Sequence, residues 1–293
     1  MITKSVSTGD RVFSAVRMII LTIFCLLVIY PLYYMLIISI SDGFAVIRGE
    51  VTVIPKDINL NAYKAILSDE YIPRSYLNTI IYTLVGTFIN LVMTALCAYP
   101  LSRKNFYGHR IFTVLVVFTM FFDAGMISNL MVVNQLGIKN SLWAIVLPPA
   151  INVWYMIIMR TFFADIPNEL HESAYIDGAN DLTIFFRIIL PLSKAVIATM
   201  ILFYAVWHWN SFFPALIYLD DRMLYPMQLV LRNIVLGSDA GAAGALSIGS
   251  DSAVMGQNIK YAVIFITVLP ILIVYPFAQK YFVKGVMVGS LKG

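Results

Sequence analysis

Charge is scarce in this sequence. Only 12% of its 293 residues are Asp, Glu, Lys or Arg and 60% are hydrophobic, whereas an average soluble domain carries about 25% charged residues. That balance excludes an ordinary soluble globule. Cysteine is nearly absent: Cys25 and Cys97 both fall inside apolar runs, where a free thiol behaves as a small hydrophobe, so neither a disulfide framework nor a redox compartment can be read. Histidine is as rare. His109, His171 and His208 are scattered, and although His171-Glu172 begins an H-E-x-x-H zinc pair, the fifth position is Tyr175. With no Cys cluster, no G-x-S-x-G elbow and no G-x-x-x-x-G-K-[ST] phosphate loop, the chain is expected to hold no metal, to catalyse no reaction and to hydrolyse no ATP itself. No long-period repeat is evident, and the one biased stretch, GSDAGAAGALSIGSDS at 237–252, reads as a small-residue external loop.

What the chain has instead is long apolar runs. A bilayer core about 30 Å thick needs roughly 20 apolar residues per helical crossing. Six runs of that kind occur, at 16–40, 77–101, 111–133, 141–159, 191–216 and 261–277. They are continuous rather than alternating and too long for barrel strands, so an all-α polytopic membrane fold with six transmembrane helices is expected. The first run follows Lys4, Arg11 and Arg17, but it is too long for a signal peptide and lacks a small-x-small cleavage site. It reads as a retained anchor.

Lys and Arg near the helix ends set the orientation. The N-terminus, the loop with Arg103, Lys104 and Arg110, and the tail with Lys280, Lys284 and Lys292 share one side if there are six crossings. That side is the cytoplasm. The loop 41–76 mixes both signs, with Arg48, Lys56, Lys64 and Arg74 against Asp42, Glu50, Asp57, Asp69 and Glu70. The expected organisation is therefore a cytoplasmic tail at 1–16, a first helix at 17–40, an extracytoplasmic loop at 41–76, a five-helix core at 77–277 and a cytoplasmic tail at 278–293. The net charge of +4 is accounted for by this asymmetry and gives no ground for nucleic-acid binding.

One compact polar segment, HESAYIDGAN at 171–180, interrupts the grease. It lies in the cytoplasmic stretch 160–190. Pro167 suits the first turn of a helix and Gly178 the left-handed position that ends one, so a helix of about ten residues is expected. Asn180 and Asp181 can cap a second helix through Thr183, Phe185, Phe186 and Ile189, and Pro191 opens the fifth run. Leu170, Ala174 and Tyr175 share a face at helical spacing, while Glu169, Glu172 and Asp177 lie on others. The shape suits a docking surface. A solvated amphipathic loop on the membrane is the bland reading, but interfacial helices usually carry Lys and Arg on the polar face, and this one is acidic.

Glu172, Ser173, Ala174, then Gly178, then Ile188, Leu190 and Pro191 resemble the EAA loop of ABC importer permeases, written EAA, three residues, G, nine residues, I-x-L-P. The spacing matches at every fixed position, with Ser173 standing for the second Ala. FFADIPNELHESAYIDGA and the following TIFFRIILPLSKAVIATMILFYAVWHWNSF are similar to carbohydrate importer permeases of the maltose type. The ending YFVKGVMVGSLKG resembles the subgroup that handles complex polysaccharides and their oligosaccharides, so the likeness covers roughly residues 70–293. The resemblance implies a coupling helix, with Glu172, Ser173, Ala174, Asp177, Gly178, Ile188, Leu190 and Pro191 meeting a separate ATPase dimer. It also implies no cofactor in this chain, ATP and Mg being held by that ATPase. The other implied partners are a sister permease, commonly a distinct chain, an extracytoplasmic solute-binding protein and the bilayer of a bacterial cell membrane.

Polar groups inside crossings are costly and default to functional candidates. Asp123 lies twelve residues into the third run, about 18 Å from its start at 1.5 Å per residue. Ser128 and Asn129 follow, while Pro148, Pro149 and Asn152 interrupt the fourth run. Trp207, His208, Trp209 and Asn210 lie in the outer half of the fifth, with Tyr218 just beyond. Sugars present apolar faces and a ring of hydroxyls, so flat aromatics beside hydrogen-bonding groups suit a path for them. Candidate path residues are Asp123, Asn129, Trp207, Trp209, Asn210 and Tyr218. Against this, Trp and Tyr also anchor membrane interfaces, Asn129 and Asn210 can bridge helices, and Asp123 can be paired within the bundle. The substrate's charge stays open. The rival reading is an ion-coupled secondary transporter, which also has broken helices and midplane polar groups but needs no acidic helix with EAA spacing.

Overall fold

The computed structural model describes the backbone of residues 8–122, 124–245 and 251–290, with side chains placed at 9–122, 124–237 and 256–276. Among the described residues every regular element is helical. In chain order these are α1 (Thr8–Ser39), α2 (Gly43–Ile47), α3 (Asn61–Ser68), α4 (Tyr71–Ser102), α5 (His109–Phe121), α6 (Gly125–Gln135), α7 (Leu142–Val146) and α8 (Val153–Ala164). Then come α9 (Glu169–Ile176), α10 (Asp181–Ile184), a π-helical turn (Phe185–Ile189), α11 (Leu190–Leu192), α12 (Lys194–Asn210), α13 (Phe213–Tyr218), a 3-10 turn (Arg222–Leu224), α14 (Met227–Ala245) and α15 (Asp251–Ser290).

Among the described residues three apolar helices, Gly9–Ser39, Tyr71–Ser102 and Gly256–Pro276, are long enough to cross a membrane, and up to five spans arise if each of two bent helix pairs is one. The breaks have readable causes. Pro148 and Pro149 lie between α7 and α8, where prolines withhold ladder donors, and the Asn152 side chain restarts the helix by accepting from the Tyr155 N–H at 3.1 Å. An 81° bend separates 181–192 from α12, and it follows the π turn and Pro191. The external loop expected at 237–252 is helical through Ala245. Its alanines favour a helix enough to outweigh the glycines between them. Residues 246–250 and Asp123 lie outside the described residues.

The chain forms two compact units, 1–69 with 233–268 and 70–232 with 269–293. In the first, Ile37, Ile38, Ala45 and Val51 pack with Tyr34, Val46 and Tyr261. The loop after α1 folds back on that helix: the Tyr33 hydroxyl donates to the Val53 carbonyl at 2.6 Å. Asp42 caps α2 through the Phe44 and Ala45 N–H groups, and Asn258 donates to the Ser41 carbonyl at 2.6 Å.

The second unit is organised around α4, which packs along α12 and α8. Gly86 permits the α12 approach, because the ring of His208 fills the space a Cβ would need. Polar pairs then lock the helices. His208 Nε2 meets Asn90 Oδ1 at 2.6 Å, Asn90 donates to the Pro149 carbonyl at 2.5 Å, and the Thr94 and Tyr204 hydroxyls lie 2.6 Å apart. Tyr204 also accepts from the Asn152 N–H at 3.3 Å. The Pro149 carbonyl and the start of the next helix are thus both satisfied from neighbouring helices, as buried backbone groups require.

Candidate functional site

The polar segment folds as a hairpin of two short helices. The first is α9, eight residues long. It ends in two bonds typical of a left-handed glycine stop: the Gly178 N–H donates to the Tyr175 carbonyl at 3.0 Å and the Ala179 N–H to the Ala174 carbonyl at 2.9 Å. Gly178 has φ +79°, and a Cβ there would meet nothing within 4 Å. Within this chain, then, the glycine is needed for its backbone conformation, not for room. Asn180 starts the second helix by accepting from the Thr183 N–H at 2.8 Å. The Tyr175 hydroxyl donates to Asp181 Oδ1, closing the hairpin across its turn. That bond, with burial adding to it, pushes the Tyr175 pKa up to about 12.

The hairpin has one buried and one exposed face. His171, Ala174, Ile184, Phe185 and Ile189 are buried. Glu172, Ser173, Asp177 and Gly178 are exposed, and Ile176 is 87% exposed. The apolar face expected from Leu170, Ala174 and Tyr175 is only partly formed, since Leu170 and Tyr175 are exposed and His171 takes the inner position beside Ala174. Of the motif's later positions, Ile188 and Leu190 are half-buried and Pro191 is exposed. The π turn accommodates them, with the Leu190 N–H bonded to the Phe185 carbonyl five residues back.

The inner face sits on the last turn of α4. Tyr99 stacks on His171 with centroids 6.3 Å apart, lies 5.0 Å from Phe185 and meets Phe163 edge-on at 6.3 Å. Arg103 extends this contact. Its guanidinium lies 5.5 Å over the Tyr99 ring and donates to Asn168 Oδ1 at 3.3 Å and to the Phe163 carbonyl at 3.4 Å. A second arginine, Arg160, ties α8 to the end of α4 by donating to the Leu101 carbonyl at 2.6 Å.

Burial lowers the His171 pKa below that of a free imidazole, and the Arg103 charge acts in the same direction, while the Pro167 carbonyl and Asp181 oppose them. Neither ring nitrogen has a hydrogen-bond partner of good geometry. Burial and the Arg103 charge both favour the neutral imidazole. The sequence reading missed Tyr99, Arg103 and His171 as hairpin contacts. Their only local signal was an aromatic and a cation four residues apart at the end of an apolar run.

The candidate path residues are not gathered in one place. Asn129 and Trp207 are exposed; Asn210 is exposed and donates to the Val206 carbonyl of its own helix at 2.8 Å. Trp209 is half-buried edge-on to Tyr76 at 5.8 Å. Tyr218 is buried with Ala144, Ile145, Val146 and Leu229. Within Trp207-His208-Trp209-Asn210 the deeply buried side chain is His208. Among the described residues no three His, Cys, Asp or Glu side chains converge as a metal site would require.

Apolar helices long enough to cross a membrane, with a capped polar hairpin between two of the helical segments, mark a membrane protein. No family model matches the chain, but curated relatives do. It is 42% identical over 284 residues, 97% of this chain and 99% of the other, to the polygalacturonan/rhamnogalacturonan transport system permease protein YtcP of Bacillus subtilis. It is also 42% identical to protein LplC of the same organism, over 97% of this chain and 96% of that one. Among solved structures, a bacterial ABC transporter involved in the import of the acidic polysaccharide alginate matches with a TM-score of 0.86 and 36% identity, over 96% of this chain and 100% of the other. The chain belongs to the permease subunits of carbohydrate ABC importers. It serves transport, and nothing favours the ion-coupled transporter.

Proposed function

We propose that this chain is the permease of a bacterial importer for oligosaccharides cut from acidic polysaccharides. It crosses the plasma membrane six times with both termini in the cytoplasm, and it is driven at the α9–α10 hairpin by a separate ATPase. The observation that carries the reading is the hairpin itself: a rigid, capped element with an inner face seated on α4 and an outer face of Glu172, Ser173, Ile176 and Asp177 left exposed. The six crossings correspond to α1, α4, the α5–α6 pair, the α7–α8 pair, α12 and the apolar part of α15. The Lys and Arg bias of the short loops supports the orientation.

The mechanism follows from that division of labour. ATP and Mg would be held by the partner ATPase and would supply the driving energy there; this chain's part would be to move its hairpin with the ATPase, beside that of a sister permease, so that the permease opens toward a substrate-loaded binding protein. On the substrate side, both a polygalacturonan/rhamnogalacturonan relative and an alginate importer handle polymers rich in carboxylates. Arg232 lies 5.8 Å over the Phe212 ring, so one cation and one aromatic surface stand together as would suit a uronate unit. Asp123, Asn129, Trp207, Trp209 and Asn210 remain the candidate sugar contacts. Tyr218 fits better as packing that supports them.

Uptake into cells whose own copy is deleted tests the reading. Labelled tetragalacturonate should accumulate only when this chain and an active ATPase are both present, and maltotetraose should not. Uptake of the neutral sugar alone, or uptake that persists with an ATPase unable to hydrolyse ATP, would overturn it.

A further inference from the structure

The helix α4 is tied at both ends to loops that lie on opposite sides of the proposed membrane. It is continuous over 32 residues, about 48 Å at 1.5 Å per residue. At its N-terminal end three side chains grip four residues of the turn that leads into α14. Asn78 donates to the Met223 carbonyl at 2.7 Å and the Tyr225 carbonyl at 3.2 Å, Tyr82 donates to the Leu224 carbonyl at 2.7 Å, and the Thr79 hydroxyl accepts from the Met227 N–H at 2.7 Å. All three side chains are buried. At the other end, Tyr99 and Arg103 hold Phe163, Asn168, His171 and Phe185, as described above.

Between Tyr82 and Thr94 the helix is braced by its neighbours, and the proline inside it, Pro100, lies within the inner tie. His208 fills the space above Gly86, and Asn90 and Thr94 are bonded across to neighbouring segments. A helix so held moves as a rod, because bending it would break buried polar pairs that no water can replace.

We propose that α4 is the strut that transmits the hairpin's movement to the 223–227 turn, with Arg103 and Tyr82 as positioning residues at its two ends. This rests on the coupling role proposed for the hairpin. The Arg103 bonds are long, and a planar guanidinium that both stacks on Tyr99 and donates sideways cannot be copied by an ammonium. Arg103→Lys therefore keeps the charge and loosens the inner tie. Tyr82→Phe keeps the ring and removes only the outer bond to Leu224.

The test uses the complete importer, with sister permease, ATPase and binding protein, in proteoliposomes. Basal ATP hydrolysis, hydrolysis stimulated by tetragalacturonate-loaded binding protein, and the Vmax and KM of uptake are measured for each variant. Either single change should lower stimulated hydrolysis and uptake Vmax about tenfold, with basal hydrolysis and KM unchanged. The double variant should be no worse than the more impaired single one, because ties in series act as one unit. A merely structural role would lower basal and stimulated rates together.

Normal stimulation in both variants, proportional loss of basal activity, or effects that multiply in the double variant would overturn the strut. A Glu172→Lys control on the hairpin separates the two readings. If it uncouples while Arg103→Lys and Tyr82→Phe do not, the strut alone fails; if it too leaves coupling normal, the hairpin's role fails.

Discussion

The ring of Tyr99 lies nearly parallel to that of His171, with 18° between their planes and 6.3 Å between centroids. One aromatic contact thus joins the last turn of a long apolar helix to a short polar one. It keeps an imidazole buried beneath an otherwise acidic, exposed hairpin.

The burial of His171 makes the hairpin's local stability depend on pH. Its folded pKa is depressed below the unfolded value of about 6.5, so on acidification the opened segment binds a proton before the folded one does. The stability is fully present above pH 6.5 and declines as pH falls from there toward the depressed folded value. Amide hydrogen exchange across 168–182 should show more frequent opening at pH 5.5 than at pH 7.5, after correction for intrinsic rates. In His171→Phe, which keeps the stack, that difference should vanish.

Gly178 sits at φ +79°, where a Cβ costs about 1–2 kcal/mol. Gly178→Ala should raise hairpin opening by a factor of about 5–30, read by hydrogen exchange of the Ala179 amide, with insertion into the membrane unchanged. A bulky replacement such as Gly178→Leu should in addition uncouple ATP hydrolysis from uptake, since it would project from the exposed face. Normal coupled uptake by that variant would contradict the role given to the turn.

The contact between Gly86 and His208 predicts a compensating pair. Gly86→Ala overfills the α4 and α12 interface and should cost about 1–3 kcal/mol, seen as a lowered Tm of the purified complex in detergent. His208→Ala removes the obstruction. The double variant should be less destabilised than the sum of the two single changes, as expected for residues in contact.

Asn90 serves two groups at once, its Oδ1 accepting from His208 Nε2 and its Nδ2 donating to the Pro149 carbonyl. Asn90→Leu keeps the volume but orphans both partners, at about 1–3 kcal/mol each. A loss of Tm larger than that of Thr94→Val, whose hydroxyl has the single partner Tyr204, is the expected outcome.

The parts of this molecule that are legible in its sequence are those written in neighbouring residues. Pro167, Gly178 and Asn180 mark the hairpin because helix starts and stops are local chemistry, and Pro148 and Pro149 mark the break before α8 for the same reason. What is not legible is pairing at a distance. Asn90 and His208 are 118 residues apart and Arg103 and Asn168 are 65 apart, so nothing in either stretch announces the other. The same holds for the inward turn of His171. Its spacing with Ala174 places both on one face, but an imidazole among acids reads as solvent-facing until Tyr99 is known to lie beneath it. The glycine-rich stretch at 237–245 fails for a different reason: its small residues look like a loop, while its alanines extend α14.

The most direct test is a photocrosslink from the exposed face of the hairpin. Ile176, 87% exposed, is replaced by benzoylphenylalanine in the assembled importer, and the crosslinked product is identified by mass spectrometry. The account predicts a covalent link to the ATPase subunit, with a yield that changes when ATP is added. A complex that co-purifies intact but crosslinks at this position to lipid or to the extracytoplasmic binding protein, and never to the ATPase, would contradict it.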